Sequence, residues 1–174
     1  MATLPKPDPV VTESIASVEW RPMTPDDLSV IAELEARIHA APWSEGNFRD
    51  ALAAGYSMRV GVRHGHIVAY GVLMLGPGEA QLLNLSVVPQ ARREGLGRAL
   101  LAQFIDDARW LSAEQFFLEV RVGNLPAIAL YGAAGFSPVA RRAGYYPPAV
   151  PGGAREDALV MRCPLGLPQR PASR

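Results

Sequence analysis

The stretch RREGLGRALL, Arg92 to Leu101, decides how the rest of this sequence is interpreted. It follows an apolar run and leads into residues with helical spacing, so it predicts a turn between a strand and a helix. Gly95 and Gly97 let backbone amides turn toward an anion, and the first amides of a helix, at its positive dipole end, favour phosphate oxygens. The pattern predicts a phosphate-binding loop, although a glycine-containing loop with solvated arginines fits the spacing equally well. The loop carries a net charge of +2 from Arg92, Arg93, Glu94 and Arg98.

Outward from this loop, apolar residues alternate between strand-like and helix-like periods. Helical spacing and capping residues predict helices from Thr24 to Ile38, from Ser44 to about Gly55, over 96–108, and from Pro126 to Gly135. Period-two runs predict strands at 15–21, 57–63, 66–75, 80–88, 116–122, 136–146 and 157–163. The order β-α-α-β-β-β-α-β-α-β-β predicts an α+β (mixed α/β) domain on a largely antiparallel sheet. The strand–helix–strand unit from 80 to 122 should be parallel.

Composition bounds the class of protein. The chain has 174 residues, 49% apolar content, and 17 basic against 17 acidic side chains. This balance argues against a protein held mainly by nucleic-acid phosphates or anionic lipid. One cysteine, Cys163, excludes an intrachain disulfide framework and a cysteine-based zinc cage. Without an apolar run long enough to span a bilayer, or the apolar core of a signal peptide, we expect a cytoplasmic protein.

The distribution of proline predicts the domain boundaries. Pro5, Pro7 and Pro9 crowd one end of the chain, and Pro168 and Pro171 the other. We therefore expect a flexible tail at 1–14, one domain at 15–165, and a second flexible tail at 166–174.

Two long runs resemble the GNAT superfamily of acyl-CoA-dependent N-acetyltransferases. They are NLSVVPQARREGLGRALL (84–101) and FFLEVRVGNLPAIALYGAAGF (116–136). The family hallmark R/Q-x-x-G-x-G/A is matched by Arg92, Gly95 and Gly97. PWS (42–44), GFSPVARR (135–142), YYP (145–147) and REDALVM (155–161) follow the order of the RimI branch, which acetylates the N-terminal alanine of small-subunit ribosomal protein eighteen. The resemblance covers about residues 20–163.

The resemblance implies a GNAT-like fold, in which acetyl-CoA lies where two parallel strands of a mixed sheet splay apart. It implies direct acetyl transfer, with Glu119 as general base and Tyr131 as general acid, and no metal. The residues that it implies for acetyl-CoA are Leu85, Ser86, Val87, Arg92, Arg93, Glu94, Gly95, Leu96, Gly97, Arg98, Asn124 and Tyr131.

The chemistry independently requires these two roles, because an amine attacks a thioester only when unprotonated and the leaving thiolate needs a proton. Period two places Glu119 on one face of its strand with Phe117 and Arg121, opposite three apolar residues. An ion pair with Arg121, or with an arginine of another strand, explains Glu119 equally well. Tyr131 also fits a core tyrosine, and Asn124 fits a helix N-cap.

The loops that match the branch's peptide channel contain Trp43, Tyr145 and Tyr146, although peripheral packing also explains these aromatic residues. RRAGYYPP has one residue more before the tyrosines than the usual RRxYYP, and Gly123 replaces a small polar residue. The first of these two departures from the branch pattern lies in a segment expected to shape the peptide channel.

An α-amine is favoured as acceptor because about 10% of it is neutral at pH 7, against about 0.04% of a lysine amine. We expect acetylation of a ribosomal protein N-terminus, without nucleic-acid or membrane partners, by a monomer or weak dimer. The same fold could instead acetylate lysines or small amines, or bind acyl-CoA without catalysis.

Overall fold

The computed structural model describes residues 17–148 and 150–166. The expected tails, and the first two residues of the strand predicted at 15–21, lie almost wholly outside this range. Seven strands are described: β1 (Glu19–Pro22), β2 (Ser57–Arg63), β3 (His66–Gly76), β4 (Glu79–Val87), β5 (Gln115–Arg121), β6 (Ser137–Tyr146) and β7 (Glu156–Pro164). The four α-helices are α1 (Leu28–Ile38), α2 (Glu45–Ala53), α3 (Leu96–Trp110) and α4 (Leu125–Ala133). This order confirms the predicted alternation of elements.

The seven strands form one mixed sheet in the order β1-β2-β3-β4-β5-β7-β6. Neighbouring strands are antiparallel except for β4 and β5, which are parallel and joined by α3. The predicted fold class and the parallel strand–helix–strand unit are therefore confirmed. No helix among the described residues is long and apolar enough to cross a bilayer.

Helices cover both faces of the sheet. On one face α1 and α2 bury apolar residues such as Ile31 and Phe48 against Val60 and Tyr70 of β2 and β3. On the other face α3 and α4 pack against the centre of the sheet, with Phe104 fully buried. Because successive strand residues point to opposite faces, adjacent residues of β3 contribute to different cores.

The first two helices begin at the residues that the sequence indicated. Ser44 caps α2, since its hydroxyl accepts the Asn47 amide at 3.2 Å and the Asn47 side chain accepts the Ser44 amide at 2.9 Å. The helix expected from Thr24 begins as a single 3-10 turn, Pro25–Asp27, and α1 follows directly.

A β-bulge in β4 separates the two central strands. Against β3, Leu82 lies opposite Leu73 and Asn84 opposite Val72, so Leu83 is an extra residue. Pairing of β4 with β5 ends at the same place, since the last paired residues are Leu82 and Leu118. A bulge bends its strand, and here β4 leaves β5 beyond it. The two strands therefore diverge over their carboxyl halves.

Candidate active site

A cavity of about 260 Å³ lies where β4 and β5 diverge. Its walls come from α1 and the segment after it, from the ends of β4 and β5, and from α4 and the end of β6. Six residues proposed from the sequence line it: Trp43, Leu85, Glu119, Asn124, Tyr131 and Tyr146. The cavity thus brings both candidate catalytic side chains to one space.

Glu119 lies on the partly exposed face of β5. Phe116, Leu118 and Val120 are buried on the opposite face, as period two predicted. The Glu119 side chain is 17% exposed and accepts a hydrogen bond from the Arg142 guanidinium of β6. The alternative expected from the sequence, an ion pair with an arginine of another strand, is therefore present in the structure. It does not exclude a role as base, because Arg142 itself is half exposed.

Tyr131 lies in α4, 7% exposed, with its ring centroid 6.0 Å from that of Phe136. Burial raises the pKa of its phenol to about 12, with a smaller contribution from Tyr146. The side chain therefore keeps its proton throughout the neutral range, as a proton donor must.

The aromatic side chains proposed for substrate binding divide into two groups. Trp43 and Tyr146 line the cavity, and burial raises the pKa of Tyr146 to about 12. Tyr145 lies outside the lining, is 38% exposed, and forms a hydrogen bond with Glu119 that raises the pKa of its phenol. Asn124 caps α4 by accepting the Ala127 amide at 3.3 Å, so its expected capping role is confirmed.

The loop before α3 has the backbone geometry of an anion cradle. Arg93 and Gly95 both have positive φ, 64° and 84°, so the chain turns twice in the left-handed sense. The first helical hydrogen bond of α3 runs from the Ala99 amide to the Gly95 carbonyl, at 3.0 Å. The amides of Leu96 to Arg98 precede it and therefore have no acceptor within the helix. These residues fit the pyrophosphate of an acyl-CoA.

Gly97 has a different role from Gly95. An added Cβ at Gly97 would lie 3.5–3.8 Å from side-chain atoms of Leu130, Val87 and Leu85, in ordinary contact. The absence of a side chain therefore leaves space between α3, the end of β4 and α4. Leu85 and Val87, two of the residues that the resemblance assigned to acetyl-CoA, border this space.

Two side chains of the loop hold it to the sheet. Glu94 forms an ion pair with Arg63 of β2, with 2.6 Å between Oε2 and Nη1. Arg92 donates through Nε to the Val87 carbonyl at 3.2 Å. The resemblance assigned both residues to acetyl-CoA, and their observed contacts hold the loop against the sheet.

A polar network at the cavity was not found by sequence analysis. Glu35 of α1, only 1% exposed, accepts hydrogen bonds from the Tyr70 hydroxyl at 2.6 Å and from Asn84 Nδ2 at 3.0 Å. Ser86 is also buried and lies 2.7 Å from His39 Nε2. The resemblance assigned backbone groups of Ser86 to acetyl-CoA, and the Ser86 hydroxyl faces α1. Across residues 17–148 and 150–166, no group of three or more His, Cys, Asp or Glu side chains could hold a metal ion.

A mixed sheet that opens at a parallel pair, with a cradle of amides beside the opening, is the architecture of an acyl-CoA-dependent acetyltransferase. The model of the Acetyltransferase (GNAT) family matches residues 20–136, and the chain belongs to this family. It is therefore an acyltransferase, and GNAT acetyltransferases use acetyl-CoA.

Particular relatives narrow the comparison. The chain is 37% identical to the ribosomal protein bS18-alanine N-acetyltransferase of Escherichia coli K12 over 141 residues, 81% of this chain and 93% of the relative. It is 32% identical to the enzyme of that name from Haemophilus influenzae, covering 80% of this chain and 93% of the relative. The crystal structure of the ribosomal-protein-S18-alanine N-acetyltransferase from E. coli superposes with a TM-score of 0.80 at 33% identity, covering 90% of this chain and 99% of the other. Ard1 from Thermoplasma volcanium has the same fold, with a TM-score of 0.76 at 24% identity, covering 84% of this chain and 96% of the other.

Proposed function

We propose that this protein is an N-α-acetyltransferase that acetylates the N-terminal alanine of ribosomal protein bS18. The observation that carries the proposal is the shared cavity: Glu119 and Tyr131 line one space at the divergence of β4 and β5. The relatives named for this reaction support the choice of substrate. A ribosomal protein substrate also places the reaction in the cytoplasm.

Different residues of the chain bind the two substrates, acetyl-CoA and the acceptor peptide. The amides from Arg93 to Arg98 bind the pyrophosphate, and Leu85 to Val87 with Asn124 hold the acyl arm. Acetyl-CoA, when bound, supplies a thioester whose carbonyl carbon the amine attacks. The peptide N-terminus enters beside Trp43 and Tyr146, both of which line the cavity.

Glu119 and Tyr131 handle protons in opposite directions. The Glu119 carboxylate, directly or through water, takes a proton from the attacking amine, and its partner Arg142 is half exposed. The Tyr131 hydroxyl provides the proton that the departing sulfur needs, because its raised pKa of about 12 keeps it protonated. Proton transfers of this kind contribute about 10²–10⁴ in rate.

The test uses an alanine-starting peptide that also carries one internal lysine. With acetyl-CoA, fragment-ion mass spectrometry should place the acetyl group on the α-amine. The matched control is the same peptide with a blocked N-terminus, which should remain unmodified. Acetylation of lysine alone, or of neither amine, would contradict the proposal.

A further inference from the structure

A histidine shares the cavity with Glu119 and Tyr131. His39 follows the last residue of α1, its side chain is 39% exposed, and it lines the same cavity. Its Nε2 atom lies 2.7 Å from Ser86 Oγ and 3.5 Å from Oε2 of Glu35. The ring is therefore held on one edge by buried groups and faces accessible space.

The hydrogen bonds around Ser86 favour one tautomer of the His39 ring. Asn84 donates through Nδ2 to Glu35 Oε1 at 3.0 Å, so the other amide atom, Oδ1, is an acceptor. The Ser86 hydroxyl donates its single proton to Asn84 Oδ1 at 3.0 Å. With the hydroxyl proton on Asn84, Ser86 Oγ accepts from His39, and the hydrogen of the neutral ring is then on Nε2. In the neutral ring the lone pair is on Nδ1, which makes no hydrogen bond within the described residues.

A buried carboxylate lies on the same side of the ring as Ser86. The Glu35 carboxylate is buried and accepts from Tyr70, Asn84 and the Trp43 amide, and no arginine or lysine among the described residues pairs with it. The group nearest to it that can carry a positive charge is His39, with 3.5 Å between Nε2 and Oε2 of Glu35. The other titratable or charged groups that line the cavity are Glu119, Arg121, Tyr131 and Tyr146.

The reaction leaves a proton that the two proposed catalytic residues do not account for. An α-ammonium loses two protons as its C–N bond to the acetyl carbon forms and the C–S bond breaks. One proton balances the thiolate as a thiol, and the other goes to solvent. Glu119 already accepts hydrogen bonds from Arg142 and Tyr145.

We infer that His39 takes the first proton from the substrate ammonium through Nδ1 and passes it to solvent. Ser86 and Glu35 are positioning residues: Ser86 fixes the tautomer, and Glu35 stabilises the imidazolium. This leaves Glu119 for the proton lost as the C–N bond forms. The inference rests on the proposed function, since it requires an amine that arrives protonated.

The test is His39→Gln, because the glutamine amide can still donate to Ser86 but cannot accept a proton. About 10% of an α-amine is neutral near pH 7, so kcat/KM of H39Q on the alanine peptide should be about tenfold below wild type there. Near pH 9.5 the amine arrives neutral, and the deficit should shrink to about twofold or less. His66→Gln, on the exposed end of β3, is the matched control and should equal wild type at both pH values.

An equal deficit at both pH values, or no deficit near pH 7, would overturn the inference. A wild-type enzyme without turnover on the alanine peptide contradicts the proposed function, whereas active wild type with unchanged H39Q contradicts only the role of His39.

A second readout does not depend on turnover. In NMR spectra of ¹⁵N-labelled protein, the imidazole signals of His39 are those that are absent from H39Q. In the neutral ring they should show a hydrogen on Nε2 and none on Nδ1. Protonation on Nδ1 instead would overturn the inference, whatever amine the enzyme acetylates.

Discussion

The guanidinium of Arg142 donates a hydrogen bond to the carboxylate of Glu119 across the sheet, from β6 to β5. The guanidinium carbon of Arg142, Cζ, lies 4.1 Å from the ring centroid of Tyr145. This cation–π contact fixes the arginine from a second side. Glu119 raises the pKa of Arg142, chiefly through this hydrogen bond. The charge of the proposed base is thus balanced by a partly exposed side chain. Substitutions in this pair can therefore distinguish Glu119 as a general base from Glu119 as the partner of a structural ion pair.

Glu119→Gln should lower kcat by about 10²–10⁴ if the carboxylate is a general base. Arg142→Gln removes the same ion pair but keeps the carboxylate, and should lower kcat by less than about tenfold, because an exposed pair contributes little. Steady-state acetylation of the alanine peptide measures both. Glu45→Gln, which removes the ion pair with Arg49 on α2 outside the cavity lining, is the control. Equal losses in E119Q and R142Q would reduce Glu119 to a structural ion pair.

Tyr131→Phe should lower kcat by about 10²–10³ through loss of the phenolic proton. The melting temperature should change little, because the ring contact with Phe136 remains and the hydroxyl has no hydrogen-bond partner in the described part of the chain. The control is Tyr56→Phe, which changes a hydroxyl outside the cavity lining. A Y131F enzyme with wild-type kcat would remove Tyr131 from the mechanism.

Gly97→Ala should separate stability from ligand binding. Alanine is favoured over glycine within a helix by about 0.5–1 kcal/mol, and the added Cβ meets only ordinary contacts. We therefore expect G97A to be at least as stable as wild type in urea, yet to bind acetyl-CoA at least about tenfold more weakly in calorimetry, since a misfit of one methyl group is worth about 1–3 kcal/mol.

The matched variant for this experiment is Gly132→Ala in α4. Its added Cβ would meet no atom within 4 Å. It should give a similar gain in stability and leave acetyl-CoA affinity unchanged. Unchanged affinity in G97A would show that the space beside Leu85 and Val87 is not used by the ligand.

Asp27 should make the fold sensitive to acid. Its hydrogen bond from Arg21 lowers the pKa of the carboxyl from 3.8 to about 2, with further donors from Thr24. A pKa that is lower in the folded state stabilises the protein above pH 4 and loses that effect as pH falls toward 2. The shift corresponds to at most about 2 kcal/mol.

The measurement for Asp27 is urea unfolding at several pH values. The difference in the free energy of unfolding between wild type and D27N should decrease steadily as the pH falls from about 4 to 2. Asp26→Asn, one residue earlier and exposed, should show no such trend. A difference that is constant with pH would mean that the carboxylate charge does not stabilise the fold.

Local patterns in the sequence were sufficient for the order of the elements. Ser44 identified the start of α2, and Pro89 and Gly95 bracketed the turn between β4 and α3. Capping and turn preferences depend on residues within a few positions along the chain, so the sequence alone is enough to predict them. The resemblance added the roles of Glu119 and Tyr131, and the structure places both on one cavity.

Period two could not place Asn84 and Ser86 because a bulge changes the phase of β4. Leu82 belongs to the core beneath α3. Simple alternation would therefore place the other even-numbered residues of β4, including Asn84 and Ser86, on that same face of the sheet. The extra residue Leu83 packs on the other core, and beyond it Asn84 and Ser86 contact Glu35 and His39 on the α1 side. A bulge depends on pairing with another strand, and no local pattern announced it.

The end of the β4–β5 ladder at Leu82 and Leu118 gives this protein a sheet edge within its interior. Strand edges on a protein surface invite pairing with other chains and are usually blocked. This edge is recessed, since Glu35 and His39 of the α1 side and Leu130 and Tyr131 of α4 border the same cleft. A second chain cannot lie along this edge as it could along a strand at the surface, because the two helical sides flank it. The divergence of the two strands thus places backbone hydrogen-bonding groups at the base of a cleft instead of on an open surface.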